Sequence, residues 1–231
     1  MKEETRSLTV EPSRRQQEDA SHARTLPHRA LRSFAVKQLS LLARPKVGVP
    51  DVPGLGYVEE LITRDEEREL LAAIDRMRWK TEWERRRQIY GLSYGSAHAE
   101  QRMLGPLPEW VLPLAERVVR EGFLDAPVAN VVVNEYIPGQ GIGLHHDFPG
   151  FGPTVVAVSL GSAYLLDLVE PDTGRKEILD MAPRSLWILG GEARSKWKHG
   201  IAHRKTDVIG GEKRPRARRV SITMRSALRT A

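Results

Sequence analysis

The texture of residues 128–225 limits what this chain can fold into. The stretch is a succession of short runs rich in Val, Ile, Leu and Trp, separated by Gly, Pro and Asp. The runs are Val128–Ile137, Ile142–Asp147, Thr154–Leu160, Tyr164–Val169, Lys176–Met181, Ser185–Leu189, Lys196–Ala202 and Arg218–Arg225. Strands this short and this closely spaced predict a sandwich or barrel, and about eight of them suit a jelly roll. The segment before them reads differently. Thr63 and Glu66 form a T-x-x-E capping box, and Leu70, Leu71, Ile74 and Met77 follow on one helical face. Leu107, Val111, Leu114 and Val118 mark a second helix after Pro106 and Pro108. The expected fold class is mainly β with N-terminal helices (α+β). Residues 1–48 are expected to be a disordered tail, with a weak helical pattern near Ala30–Leu42, and residues 49–231 a single domain, with helices and a substrate lid over 49–127 and the β core over 128–231.

Charge is distributed in blocks. The formal total is +6, from 36 Lys+Arg and 30 Asp+Glu. Residues 1–48 carry 10 basic and 5 acidic, residues 49–193 carry 14 and 23, and residues 194–231 carry 12 and 2. The middle is therefore acidic and the two ends basic. Such blocks mark polyanion contact or a solvated tail, and the tail is the commoner case. There is no Cys, which excludes disulfides, thiolate metal sites and a Cys nucleophile. No apolar run approaches the ~20 residues of a membrane-spanning helix, and no apolar signal core opens the chain. The expectation is no membrane contact and a cytoplasmic, monomeric protein.

Of seven His, His22 and His28 fall in the tail and His98 in a Gly/Ser-rich loop. The informative ones are His145, His146, His199 and His203, together with Asp147. On a strand over Ile142–Asp147, His145 and Asp147 share one face and His146 takes the other. Two His and one carboxylate can bind non-haem Fe(II) and leave positions open. From spacing alone, a surface His-x-Asp pair is the commoner origin of such a pattern, and His199 and His203 are equal candidates for the third ligand.

The last run alternates strictly. Val220, Ile222 and Met224 lie on one face and Arg219, Ser221, Thr223 and Arg225 on the other. One reading is an edge strand with a polar solvent face. The other is a cavity wall whose arginines grip an acid, since a planar guanidinium matches a carboxylate at two points. Six strand steps put the two arginine Cα atoms roughly 20 Å apart, so one small diacid touches both only if the side chains converge or the strand bends. In Val128–Ile137, Asn134 and Tyr136 share a face.

Together these stretches resemble the AlkB-type family of Fe(II)- and 2-oxoglutarate-dependent dioxygenases. The likeness is carried by Asn134-x-Tyr136-x-Pro138-Gly139-x-Gly141-Ile142-x-x-His145-x-Asp147, by Gly191-x-Ala193-Arg194-x-x-Trp197-x-His199-Gly200-Ile201, and by Arg219-x5-Arg225. The resemblance implies a double-stranded β-helix (jelly-roll) core. It implies that His145, Asp147 and His199 bind the iron, with His199 favoured because it precedes Gly-Ile. It further implies that Arg219 pairs with the distal carboxylate of 2-oxoglutarate, helped by Tyr136, Asn134 and Ser221, while Arg225 sits near the carboxylate at the iron end. The implied cosubstrates are 2-oxoglutarate and O2. The implied reaction releases succinate and CO2 and hydroxylates a C–H bond; a methyl on nitrogen then leaves as formaldehyde.

Members of the family act on alkylated bases in DNA or RNA, hydroxylate a tRNA base, or act on protein or lipid. Demethylation of DNA or RNA bases is the leading expectation, with hydroxylation of a tRNA base or demethylation of protein as alternatives. An inactive nucleic-acid-binding module on the same fold is the rival outside enzymes. Arg76 to Arg102 carries 7 basic and 3 acidic residues with Trp79, Trp83, Tyr90 and Tyr94 interleaved. Cations for phosphates and aromatic faces for stacking are the composition of a nucleic-acid groove. The resemblance further implies that this region is the lid over the substrate base, with Arg85, Arg86, Arg87, Tyr90 and Tyr94 as its candidates. An amphipathic, salt-bridged connector is the plainer alternative. Pro149 stands where the repair branch commonly has an acidic base contact, two places after Asp147.

Overall fold

The computed structural model describes residues 48–94 and 101–228. The expectations for the tail, for Ala30–Leu42, and for His22, His28 and His98 lie outside the described residues, as does the side chain of Tyr94.

Chain order runs β1 (Leu55–Val58), α1 (Arg64–Arg76), β2 (Arg87–Tyr94), β3 (Gln101–Met103), α2 (Leu112–Arg120), β4 (Val128–Tyr136), β5 (Ile142–His145) and β6 (Phe151–Gly161). It continues through β7 (Tyr164–Val169), β8 (Lys176–Met181), β9 (Leu186–Leu189), α3 (Gly191–Ser195), β10 (Lys198–Ile201), β11 (Thr206–Ile209), β12 (Glu212–Pro215) and β13 (Arg219–Ala227). The capping box forms as the sequence predicts: Thr63 N–H donates to Glu66 Oε2 at 2.8 Å, and Glu66 N–H to Thr63 Oγ1 at 3.2 Å. The second helix starts later than its apolar pattern, behind a 3-10 turn over Glu109–Val111, with Pro113 in its first turn. Proline is tolerated there because a first-turn N–H has no intrahelical acceptor.

Two sheets build the jelly roll. The larger has the order β1-β9-β6-β13-β4-β2-β3 and the smaller β5-β10-β7-β8, with β11-β12 as a separate hairpin. Strand alternation sorts the large sheet into two faces. Val131 and Val133, Val156 and Val158, and Val220, Ile222 and Met224 pack under α1 and α2 against Leu70, Ile74, Leu114 and Val118. The opposite face meets the small sheet, and a second apolar cluster of Tyr136, Tyr164, Leu166, Leu168, Trp187 and Trp197 lies there.

Three sequence expectations need correction. Residues 49–127 are not only helices and lid, because β1, β2 and β3 lie among them and join the large sheet. Strand β13 is no edge strand: it lies between β6 and β4, and its polar face is buried. Strand β5 ends at His145, so Asp147 stands beyond it in irregular chain rather than on a shared strand face. The turn at Pro149-Gly150 follows at once, and proline can neither donate to a ladder nor adopt a strand's wider range of φ.

Candidate active site

The alternation of β13 aims Arg219, Ser221, Thr223 and Arg225 into the space between the sheets. Its neighbour β4 places Asn134 opposite Ser221 and Tyr136 opposite Arg219. The small sheet faces them with His145 and His199, cross-strand partners on β5 and β10. The three expected metal ligands and the five expected cosubstrate residues thus line one cavity.

At one end, the His145 and His199 rings stand 4.4 Å apart between centroids, and His199 Nε2 lies 3.6 Å from Asp147 Oδ2. His145 Nδ1 is 2.9 Å from the Gly143 carbonyl, which can only accept. Nδ1 is thereby the donor of this bond, which turns Nε2 toward any ligand. Burial pushes the His199 imidazole down to about 4, so it is neutral near pH 7. Burial alone would raise the Asp147 carboxyl, but the Arg225 guanidinium, together with His199 and Arg194, outweighs it and holds the pKa at about 2. Arg225 binds Asp147 Oδ1 through Nε at 3.2 Å and through Nη2.

This donor set suits a divalent cation. Asp147 Oδ2 and His199 Nδ1 are buried and lack protein hydrogen-bond partners. His199 Nε2 stands 3.6 Å from that Asp147 oxygen, so a cation between them would meet a nitrogen and an anionic oxygen at once. Among the described residues, no three His, Asp or Glu side chains already surround a common point closely enough to hold an ion. Strands β5 and β10 nonetheless hold His145 and His199 as cross-strand neighbours. His203, the alternative ligand, sits half-exposed at the rim with Nε2 3.1 Å from Glu84 Oε2.

At the other end, Arg219 is wholly buried, and burial lowers its pKa to about 10. It donates to Ser159 Oγ at 2.9 Å, touches Met181 Sδ at 3.4 Å and lies 5.4 Å from the Tyr136 ring centre. Its Nε has no partner, and it makes no ion pair among the described residues. A guanidinium kept in such surroundings has its largest favourable interaction still to make, with a carboxylate. The distal carboxylate of a 2-oxo diacid fits that requirement.

The lid candidates divide by strand face. Arg87 is the register partner of Asn134, on the cavity side, and its guanidinium lies 3.1 Å from the Trp83 ring centre. Arg85, just before β2, donates from Nε to Asn134 Oδ1 at 3.3 Å. Arg86 and Tyr90 do not belong to a lid over this cavity. Arg86 bonds Glu135 and stacks on Trp79, while Tyr90 packs edge-on against Trp110, both on the helix-covered face. The period of two on β2 imposes this split, which composition alone does not reveal.

Other contributors went unread in the sequence. Ser159 holds Arg219, Asn130 holds Arg225, and Arg194 donates from Nη2 to the Phe148 carbonyl at 3.1 Å. Asn130 shares the period-2 face of Asn134 and Tyr136, so alternation was a signal for it. Arg194 stood in the stretch that carries the family resemblance but was given no role, and Ser159 carried no signal without knowledge of which strands are neighbours.

Comparison with known proteins agrees with this geometry. Residues 59–225 match the family described as the 2OG-Fe(II) oxygenase superfamily. An uncharacterised protein, L905, of Acanthamoeba polyphaga mimivirus is 33% identical over 76% of this chain and 86% of its own length. The probable RNA/DNA demethylase ALKBH6 of Danio rerio is 32% identical over 75% of this chain and 85% of its own. The tRNA (carboxymethyluridine(34)-5-O)-methyltransferase ALKBH8 of Mus musculus is 30% identical over 68% of this chain, which spans only 25% of that protein. Among solved structures, OsALKBH1 superimposes with a TM-score of 0.58 at 16% identity, over 77% of this chain and 99% of that one, a likeness of fold.

Proposed function

The chain belongs to the 2OG-Fe(II) oxygenase superfamily and is an Fe(II)- and 2-oxoglutarate-dependent dioxygenase, and on that premise we propose that it oxidises an alkylated base in RNA or DNA at a metal held by His145, Asp147 and His199. Fe(II), 2-oxoglutarate and O2 together supply oxidative decarboxylation to succinate and CO2, coupled to hydroxylation of a substrate C–H bond. The protein's own groups bind and orient. His145 and His199 present ring nitrogens and Asp147 an anionic oxygen, three donors that leave positions for a chelating 2-oxo acid and O2. Arg219 receives the distal carboxylate, with Tyr136, Asn134 and Ser221 beside it. Arg225, held on Asp147, stands at the metal end of the same cosubstrate. Trp187, Leu166 and Ile201 complete an apolar wall that limits water. Hydroxylation of a methyl on nitrogen gives a carbinolamine, which releases formaldehyde and returns the N–H.

One observation carries the nucleic-acid reading. Among the described residues, Arg85 and Arg87 have no carboxylate at ion-pair distance, whereas Arg86 between them is paired with Glu135. They lie on the cavity side of the sheet with Trp83 beside them, 43% exposed. Unpaired guanidiniums next to an exposed indole suit phosphates and an unstacked base, and a base must be flipped or single-stranded to reach a buried metal. The name of the zebrafish relative, matched over most of its length, supports the same substrate class.

A second reading is hydroxylation of a tRNA base with the oxygen retained. Pro149 favours it, since no acid stands there to hold a damaged base. Methylated single-stranded RNA, the same sequence as DNA, an unmethylated tRNA and a methylated peptide, each incubated with Fe(II) and 2-oxoglutarate, separate the possibilities by mass spectrometry. Demethylation appears as loss of a methylene unit with formaldehyde, and hydroxylation as gain of one oxygen. Turnover of the peptide with every nucleic acid unchanged would overturn the substrate assignment.

A further inference from the structure

Asp147 has left its strand, so something other than ladder hydrogen bonds must hold it in place. Arg225 does so directly, and Arg225 is itself held. Its Nη1 donates to Asn130 Oδ1 at 3.0 Å, and Asn130 Nδ2 donates to the Leu92 carbonyl at 2.7 Å. Asn130 is the register partner of Arg225 on one side and of Gly91 on the other, so it bridges β13 and β2 across β4. It is 2% exposed. Its amide can point only one way: Arg225 offers only donors and the Leu92 carbonyl only an acceptor, so both ends are committed. The ladder between β13 and β4 shifts register just past Arg225, and such irregularities re-aim side chains at functional sites.

We propose that Asn130 is a positioning residue for the metal site, fixing the Arg225 guanidinium in the orientation from which it holds Asp147. The inference rests on the reading of His145, Asp147 and His199 as the metal ligands. Groups that orient a ligand from outside the coordination sphere typically change metal affinity or activity by about 10–100-fold when removed. An asparagine that only tied β2 to β4 would change folding stability and leave metal affinity alone.

The test is calorimetric titration of the full chain with Mn(II), a redox-stable probe, beside apo melting curves. The proteins are wild type, His199→Ala, Asn130→Leu, Arg225→Ala and the double variant Asn130→Leu/Arg225→Ala. Wild type binds one Mn(II), and His199→Ala abolishes this. Asn130→Leu weakens Mn(II) binding by about 10–100-fold, whatever its apo melting temperature. In the Arg225→Ala background the same substitution changes affinity less than about two-fold, because its effect passes through that guanidinium. Should Asn130→Leu fail to fold, Asn130→Ser, which cannot span both partners, shows the same loss. Unchanged Mn(II) affinity in the folded Asn130 variant, or the full loss repeated in the Arg225→Ala background, overturns the proposal while leaving the metal site intact. Mn(II) binding that survives His199→Ala overturns the metal-site reading instead.

Discussion

His145 and His199 stand directly opposite each other on neighbouring antiparallel strands, with ring centroids 4.4 Å apart. Two imidazoles are brought together at a backbone-defined distance, and Asp147 closes the group through Arg225. Metal should therefore bind the folded chain and not the unfolded one. At 100-fold excess over its dissociation constant, Mn(II) would add about 2.7 kcal/mol. For a folded domain of this size that raises Tm by roughly 5–10 °C. The shift should vanish in His145→Ala and in His199→Ala and be reversed by EDTA. Identical melting of metal-loaded and chelated wild type would sink the assignment.

Arg219 makes a different prediction, because its charge is buried without a carboxylate. Replacing it by Met removes a desolvated cation together with its hydrogen bond to Ser159 and its contact with Met181, opposing effects that should leave the apo protein within about 1 kcal/mol of wild type. The cosubstrate should suffer: hydrogen bonds to a charged group are worth about 1.5–3 kcal/mol, or roughly 10- to 150-fold in KM for 2-oxoglutarate. Initial rates at varied 2-oxoglutarate, with melting curves on the same samples, check both. A large loss of apo stability with an unchanged KM would show that Arg219 serves the fold.

Acid should weaken the helix that covers the large sheet. Glu66 bonds the Arg117 guanidinium and the Thr63 N–H, and these hold its carboxyl at about 2 instead of the usual 4.5. A folded-state value below the unfolded one contributes stability that is complete above pH 4.5 and is lost as pH falls toward 2. The side chain is about a third exposed, so screening reduces the gain to on the order of 1 kcal/mol. Glu66→Gln should show that deficit at pH 7 by chemical denaturation and converge with wild type near pH 2. A constant gap across that range would mean the cap, not the charge, is responsible.

Much of this arrangement was legible beforehand. The period of two in Arg219–Arg225 put its arginines on one face and its aliphatics on the other, and the structure uses both faces as read. Edge and centre could not be told apart, because alternation says which residues share a face and nothing about which strands flank them. Asp147 was misplaced on β5 for a related reason: the His-x-Asp spacing fits a strand, while the Pro149-Gly150 turn that ends it acts from outside the pattern. Strand β2 was read as a lid because the resemblance implies one there and its arginines and aromatics suggest nucleic acid by composition. Its pairing with β4 depends on a partner some forty residues away, and local propensity carries no trace of that.

That pairing makes the three consecutive arginines unequal. Arg86 shares the buried Glu135 carboxylate with Arg218 and stacks on Trp79, so Arg86→Ala should cost about 1–2 kcal/mol of stability and leave nucleic-acid affinity nearly unchanged. Arg85 and Arg87 face the cavity without carboxylates. Replacing either by Ala should barely move Tm, whereas the double variant should weaken binding of single-stranded RNA or DNA uniformly across sequences. For every phosphate that no longer meets a guanidinium, the slope of log K against log salt should flatten by about 0.7. Fluorescence titrations at several salt concentrations, run on all variants, measure this directly. An unchanged salt slope in the double variant, or a flattened one in Arg86→Ala, would place the nucleic-acid interface on another face.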